Sequence, residues 1–293
     1  MQWALGNTLL RKGSTDEAFD LIAKAVDGNP SYREPAAGLA WIIFEGDVEA
    51  VRRAMGDSPP VIAALASTLA REERFDDAVR LWEQLPADEK RGRFKEVGAG
   101  LLAKLTAGSR FRQAMSVAAS LGEGENAPSE IGRITNGGFE SDVRIPATEL
   151  FNWRIEDGLS PQIVVDAGNK QEGTRSLVII IDSPDGRLTR SVTQTVAVEP
   201  GANYLFTAFY RSDTDSAKGW QWEVVDAAKR QPVAATPSTQ AKADWTPLSV
   251  RFTAPSEVDG IIIRLVRAEC GSPICPVKGR IWFDGLSLEK VAE

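Results

Sequence analysis

Apolar positions follow two different rhythms along this chain. Over residues 1–121, Ala, Leu, Ile and Val recur three and four positions apart among Arg, Glu and Asp, the spacing of amphipathic helices. Over residues 131–291, short runs of Val, Ile, Thr, Phe and Trp alternate with polar residues and stop at Pro, Gly and Asp, the spacing of half-buried strands. Between them lies Gly122-Glu-Gly-Glu-Asn-Ala-Pro-Ser129, polar and rich in helix breakers. The pattern predicts a multidomain α-then-β chain, with residues 1–126 as a helical domain and 127–293 as an antiparallel β-sandwich. Strands are expected near 131–139, 151–155, 162–166, 174–182, 188–198, 202–211, 220–226, 245–253, 260–267 and 279–289.

Within the helical half, one set of offsets repeats. Counting from Ala18, the positions are Leu5, Gly6, Leu9, Ile22 and Ala25, closed by Pro30; from Ala78 they are Leu65, Ala66, Leu69, Trp82 and Leu85. From Ala114 they are Leu101, Leu102, Leu105, Ala118 and Leu121, and a weaker copy surrounds Ala50. Small residues at the crossing let two helices approach closely, and each pair leaves an apolar face for the next to cover. Leu5-Gly6, Leu9, Gly13, Ala18, Ile22, Ala25 and Pro30 resemble the tetratricopeptide repeat, over about residues 2–121 as four hairpins. A generic helical bundle is the alternative. Ser14-Thr-Asp-Glu17 fits a capping box. The resemblance implies an α-hairpin solenoid presenting a surface to a protein partner. The basic run Lys90–Lys95 fits either an acidic partner or, more simply, a solvated loop.

In the second half, Asn136-Gly-Gly-Phe-Glu140, Trp153, Gly173-Thr-Arg-Ser-Leu177, Gln194 through Tyr204, Trp245, Arg251-Phe-Thr-Ala-Pro255 and Ile281-Trp-Phe-Asp-Gly-Leu286 occur in one order. That ordered set resembles the carbohydrate-binding modules of the family 4, 9 and 22 type, galactose-binding-like jelly rolls. The resemblance implies a glycan ligand and a structural Ca2+ near Glu140 and Asp284, with Glu172 or a neighbouring carbonyl contributing. The alternative is that these carboxylates only hold strand-end backbone. From the alternation itself, Trp222 shares a face with Val224 and points inward. Gln221, Glu223, Arg211 and Arg264 are expected together on one open sheet face, with Trp220 or Tyr210 at its edge. A surface ion-pair network is the plainer reading of the same residues.

Composition narrows the chemistry. The 293 residues include no histidine, which excludes Ser/His/Asp and Cys/His nucleophilic sites. The net charge of −7 is spread evenly, with 16 Lys and Arg against 19 Asp and Glu in residues 1–128 and 18 against 22 in the remainder. Neither half offers the basic field that nucleic acid requires, and no apolar run is long enough to span a bilayer. Cys270-Gly-Ser-Pro-Ile-Cys275 is the only cysteine pair. Gly271 and Pro273 bend the loop toward a disulfide, which implies the periplasm or the cell exterior; two free thiols in a cytosolic protein are the alternative. No signal peptide is visible. Met1-Gln2-Trp3 already reads as mid-repeat, so the native chain is expected to begin earlier. The leading expectation is a non-catalytic exported scaffold in envelope or exopolysaccharide assembly, with a protein on the repeats and a glycan on the jelly roll. The alternatives are a purely structural assembly module and a glycoside hydrolase using two carboxylates, for which no local motif is visible.

Overall fold

A computed structural model of the chain describes residues 1–122, 129–145, 149–184, 190–215, 219–268 and 275–292. The chain divides into two compact units, residues 1–108 with 116–122, and residues 109–115 with 123–293. The boundary expected at 126/127 falls on residues 123–128, outside the described ones.

In the first unit, α1 (Gln2–Arg11) pairs with α2 (Thr15–Gly28), α3 (Arg33–Ile43) with α4 (Val48–Met55), and α5 (Pro59–Arg71) with α6 (Phe75–Glu83). The sequence explains the close approach of α1 and α2. A methyl group on Gly6 would stand 2.8 Å from Ile22 and 3.0 Å from the Ala18 carbonyl, so only hydrogen fits. The anchors Ala18, Ala78 and Ala114 are fully buried, as the repeat offsets require. The weak fourth anchor differs: Ala50 is half-exposed and Val51 faces inward. Ser14 stands at the start of α2, yet its side chain makes no cap bond. The basic run spans a turn between two helices, with Arg91, Arg93 and Lys95 exposed as a solvated loop would have them, but Lys90 departs from that reading. It begins in α7 (Ala87–Arg91), where Lys90 is buried against the Trp82 ring and its Nζ donates to the Glu83 carbonyl at 3.2 Å. The long alkyl stem lets Lys90 bury its carbons, and burial pulls its pKa below the ordinary lysine range. Beyond lie α8 (Lys95–Ala107) and α9 (Phe111–Ser120), the latter divided between the two units at residue 115.

The second unit is a sandwich of two five-stranded antiparallel sheets. Its strands are β1 (Arg154–Ile155), β2 (Gln162–Asp166), β3 (Ser176–Ser183), β4 (Val192–Ala197), β5 (Asn203–Ser212), β6 (Trp220–Asp226), β7 (Pro232–Ala235), β8 (Ala243–Thr253), β9 (Gly260–Arg267) and β10 (Val277–Lys290). One sheet runs β1-β4-β9-β6-β7 and the other β2-β3-β10-β5-β8. Period-2 burial is plainest in β5, where Tyr204, Phe206, Ala208 and Tyr210 point inward and their neighbours outward. The aromatic centre is Trp222, whose ring centroid lies 5.7 Å from Trp153, 6.2 Å from Phe206 and 5.3 Å from Phe283.

One expected strand is absent and one strand is additional. Residues 131–139 form turns, with positive φ at Gly132, Asn136 and Phe139. The segment is tied to the sheet by a side chain instead: buried Gln194 accepts from Thr135 N at 2.9 Å and donates to Thr135 O at 2.8 Å. Strand β7 was not expected, because it opens on Pro232 and is short and largely exposed, as an edge strand can be.

Candidate functional site

The residues expected on one face divide between two. Gln221 and Glu223 on β6 and Arg264 on β9 do share the outer face of the first sheet. Glu223 and Arg264 are direct cross-strand partners, joined at 2.7 Å (Nη2–Oε2) and 2.8 Å (Nε–Oε2). They lie in a row that continues to Thr193 and Arg154 on one side and Ala235 on the other. Arg211 is not there. It sits on β5, in the opposite sheet, because the chain passes from one sheet to the other between β5 and β6. Trp220 and Tyr210 form no rim, being only 1% and 2% exposed. Trp220 has the same parity as Trp222 and Val224, so a strand that buries one buries all three. The Tyr210 hydroxyl accepts from Gln240 N at 3.0 Å, which satisfies it inside.

Arg211 instead lines a pocket of about 340 Å³ on the outer face of the second sheet, with Asn169, Asp213, Lys242, Asp244, Arg280 and Trp282. The local sequence builds it. On β10, Ile281 and Phe283 belong to the core, so Arg280 and Trp282 turn outward. Trp282 stands directly opposite Arg211. The guanidinium carbons of Arg211 and Arg280 lie 5.6 Å and 5.1 Å from the centre of its ring, which explains why an outward tryptophan is only 4% exposed. Next to Arg211 the β5–β8 register slips between Tyr210/Thr246 and Ser212/Ala243. A slip of this kind re-aims side chains, and here it carries Lys242 and Asp244 to the pocket.

A chain of polar contacts fixes the floor. Trp282 Nε1 donates to Asp166 Oδ2 at 2.8 Å, Asn169 Nδ2 donates to the same oxygen at 3.1 Å, and Asn169 Oδ1 accepts from Arg211 Nη1 at 2.6 Å. The Gly168 N–H, then the Asn169 and Trp282 donors, outweigh burial and hold the Asp166 carboxyl below the usual range. Asn169, Trp282, Asp166 and Lys242 were not singled out from sequence. The alternation around Ile281 and Phe283 carried the signal for Trp282; nothing local to residues 166–169 pointed at Arg211.

The three residues expected to hold a metal lie elsewhere in the sandwich. Asp284, fully buried, accepts from Gln171 N and Glu172 N on Oδ2 (2.7 and 3.2 Å) and from Gly285 N on Oδ1 (2.7 Å). Glu140 Oε1 accepts from Thr174 N and Arg175 N at 2.8 and 3.1 Å, and the Thr174 hydroxyl donates to Oε2. That hydroxyl bond, ahead of the Thr174 N–H, keeps the Glu140 carboxyl below its ordinary range. Gly173, at φ +62°, exists to let this happen: a Cβ there would fall 2.3 Å from Glu140 Oε1. Added methyl groups measure the convergence. On Gly138 one would lie 3.7 Å from Asp284 Oδ1 and 3.7 Å from Glu140 Cγ; on Gly285 one would lie 3.7 Å from both Gln171 Oε1 and Glu172 Oε1. Gln171 Oε1 is buried without a hydrogen-bond partner. An orphaned oxygen beside carboxylates suits a hard cation. Among the described residues no three Asp, Glu, His or Cys side chains form a metal cluster, so a cation here would also need amide or backbone oxygens.

Cys270, and with it the expected Cys270–Cys275 disulfide, lies outside the described residues. No described helix is long and apolar enough to cross a membrane.

No protein-family model and no curated protein matches the chain. Among solved structures, it is similar to a family 4 carbohydrate-binding module, with 18% identity over 54% of this chain and 99% of that one, at a TM-score of 0.40. It is similar to TmCBM61, solved with β-1,4-galactotriose, with 15% identity over 53% and 96% and a TM-score of 0.38. It is also similar to the C-terminal family 22 module of Clostridium thermocellum Xyn10B, with 13% identity over 56% and 97% and a TM-score of 0.36. These likenesses are low in identity and score, and the fold assignment rests on the strand order itself.

Proposed function

We propose that this chain is a non-catalytic binding protein whose jelly roll holds a glycan in the Arg211 pocket. The observation that carries this reading is the pocket itself: concave, near the lower end of the roughly 300–1,000 Å³ typical of ligand sites, with an aromatic floor and fixed polar groups around it. The tetratricopeptide-like helices hold a protein partner in the same reading, supported by Ile42 and Ile43, which stay 72% and 38% exposed at the end of α3. Calcium belongs to the proposal as a structural ion near Glu140, Asp284 and Glu172, supported by the orphaned Gln171 oxygen. It would tie the first turn of the sandwich to the last strand and supply no chemistry to a ligand.

A periplasmic or extracellular setting follows from the proposed Cys270–Cys275 disulfide, which is supported by the lack of a free cysteine among the described residues. Mass spectrometry of the alkylated protein, with and without reductant, is expected to show thiols only after reduction. Two alkylatable thiols in native protein would remove both the disulfide and the export argument.

One observation favours a second reading, a purely structural assembly module. Glu223 and Arg264 satisfy each other on the outer face of the first sheet, so neither offers a free charge to a ligand. Such a pair is worth under about 1 kcal/mol and recognises nothing. Titrating the full chain against arrayed glycans separates the two readings. Binding that disappears in Arg211→Gln and survives in Arg264→Gln is expected; no binding to any glycan at millimolar concentration supports the structural module.

A further inference from the structure

The Arg211 pocket is lined by three cations, Arg211, Lys242 and Arg280, and two carboxylates, Asp213 and Asp244, and that excess of positive charge selects a ligand. Asp213 is fully committed: Oδ1 accepts from Arg280 N at 2.5 Å, and Oδ2 lies 3.0 and 2.9 Å from Arg280 Nε and Nη2. That pair is neutral and closed. Asp244 is nearly all solvent-exposed and approaches Arg211 Nε only to 3.7 Å, too far for a hydrogen bond. Its Oδ1 already accepts from Trp245 N at 3.1 Å. Arg211 Nη1 is held by Asn169, while its Nη2 has no hydrogen bond to a described residue. Lys242 lines the same pocket and makes no ion pair with a described residue. Two cations therefore stand with unspent donors, one on a guanidinium already oriented by Asn169 and by the Trp282 ring beneath it.

We propose that this pocket binds the carboxylate of an acidic sugar, a uronate residue within a glycan, with Arg211 and Lys242 as the anion receptor. The inference rests on the glycan reading above and sharpens it to a substrate class. A planar guanidinium presents two parallel N–H groups that match the two oxygens of a carboxylate, whereas a neutral hydroxyl takes a single hydrogen bond and brings no opposite charge. Asn169 and Trp282 act as positioning residues: they hold the fork in place before the ligand arrives, which lowers the ordering cost of binding.

Calorimetric titration of the full chain with oligogalacturonate, oligoglucuronate, their methyl esters and a neutral galactan tests this. Esterification removes the charge and leaves the sugar ring. At least one free acid is expected to bind roughly ten- to a hundredfold more tightly than its ester, the worth of a charge-assisted hydrogen bond. The same preference is expected to collapse in Arg211→Gln, to survive in part in Arg211→Lys, and to be unchanged in Arg264→Gln on the other sheet. Asn169→Ala should weaken acid binding with no change in charge, and an unchanged melting temperature in each variant shows that the fold is intact. Equal binding of acid and ester, or tight binding of galactan alone, overturns the uronate assignment and leaves the glycan reading standing. Absence of binding by acids, esters and galactan alike overturns both.

Discussion

Trp222→Ala is expected to be the most damaging single substitution in the sandwich, at about 3–5 kcal/mol, the usual cost of truncating a large buried aromatic. Trp222 is fully buried and stands against Trp153, just before β1, and Phe206 and Phe283 of the opposite sheet. Removing it opens a cavity that well-packed strands on either side cannot fill. Against a total stability of about 5–15 kcal/mol, such a loss takes a large share of the folded population's margin. The Trp222 indole nitrogen makes no hydrogen bond, so Trp222→Phe forfeits volume but no polar partner and should cost distinctly less. Urea unfolding followed by near-ultraviolet circular dichroism measures both. A cost below about 1 kcal/mol for Trp222→Ala would mean that the sheets do not meet over this residue.

Asp284→Ala should come close to it, for a polar reason. The carboxylate is fully buried and accepts three backbone N–H groups, from Gln171, Glu172 and Gly285. Deleting it leaves three part-buried donors without that acceptor, each costing up to about 1–3 kcal/mol less whatever water recovers. Asp284→Asn keeps an acceptor and should cost less. Calcium adds an independent signature, because an ion that binds only the folded state raises stability in proportion to the logarithm of its concentration. The melting temperature of the wild type is expected to rise with added CaCl2 and fall with chelator, and that response should be absent in both Asp284 variants. A wild type indifferent to calcium and chelator would leave Asp284 as a backbone brace alone.

The division into a helical and a stranded half was legible because each periodicity runs for more than a hundred residues, and no single substitution can disguise it. Inward positions on β5 and Trp222 on β6 followed from alternation. Trp220, expected at an edge, is buried, because it shares the inward parity of Trp222 and Val224. Arg211 was paired with Glu223 and Arg264 because parity says which side of its own strand a residue takes but not which sheet that strand joins. Sheet membership depends on contacts such as β5 with β10, far apart in sequence. The pocket was hidden for the same reason: Asn169, Arg211, Lys242 and Trp282 come from four separate segments, and the register slip on β8 leaves no mark in composition. The expectation of a cation near Glu140, Glu172 and Asp284 came through family resemblance, since nothing in spacing brings residue 140 to residue 284.

The central claim is that ligand recognition occurs on the outer face of the second sheet, over Trp282. Among the eight tryptophans, Trp282 donates its indole N–H to Asp166 while that of Trp222 lies unpartnered in the core, so the two report from different environments. Indole N–H resonances of the 15N-labelled protein, recorded while a bound uronate oligomer is titrated in, make the most direct test. The Trp282 signal is expected to move progressively and the Trp222 signal to stay fixed. Shifts confined to residues around Glu223 and Arg264, with Trp282 unmoved, would place recognition on the opposite sheet and contradict the account.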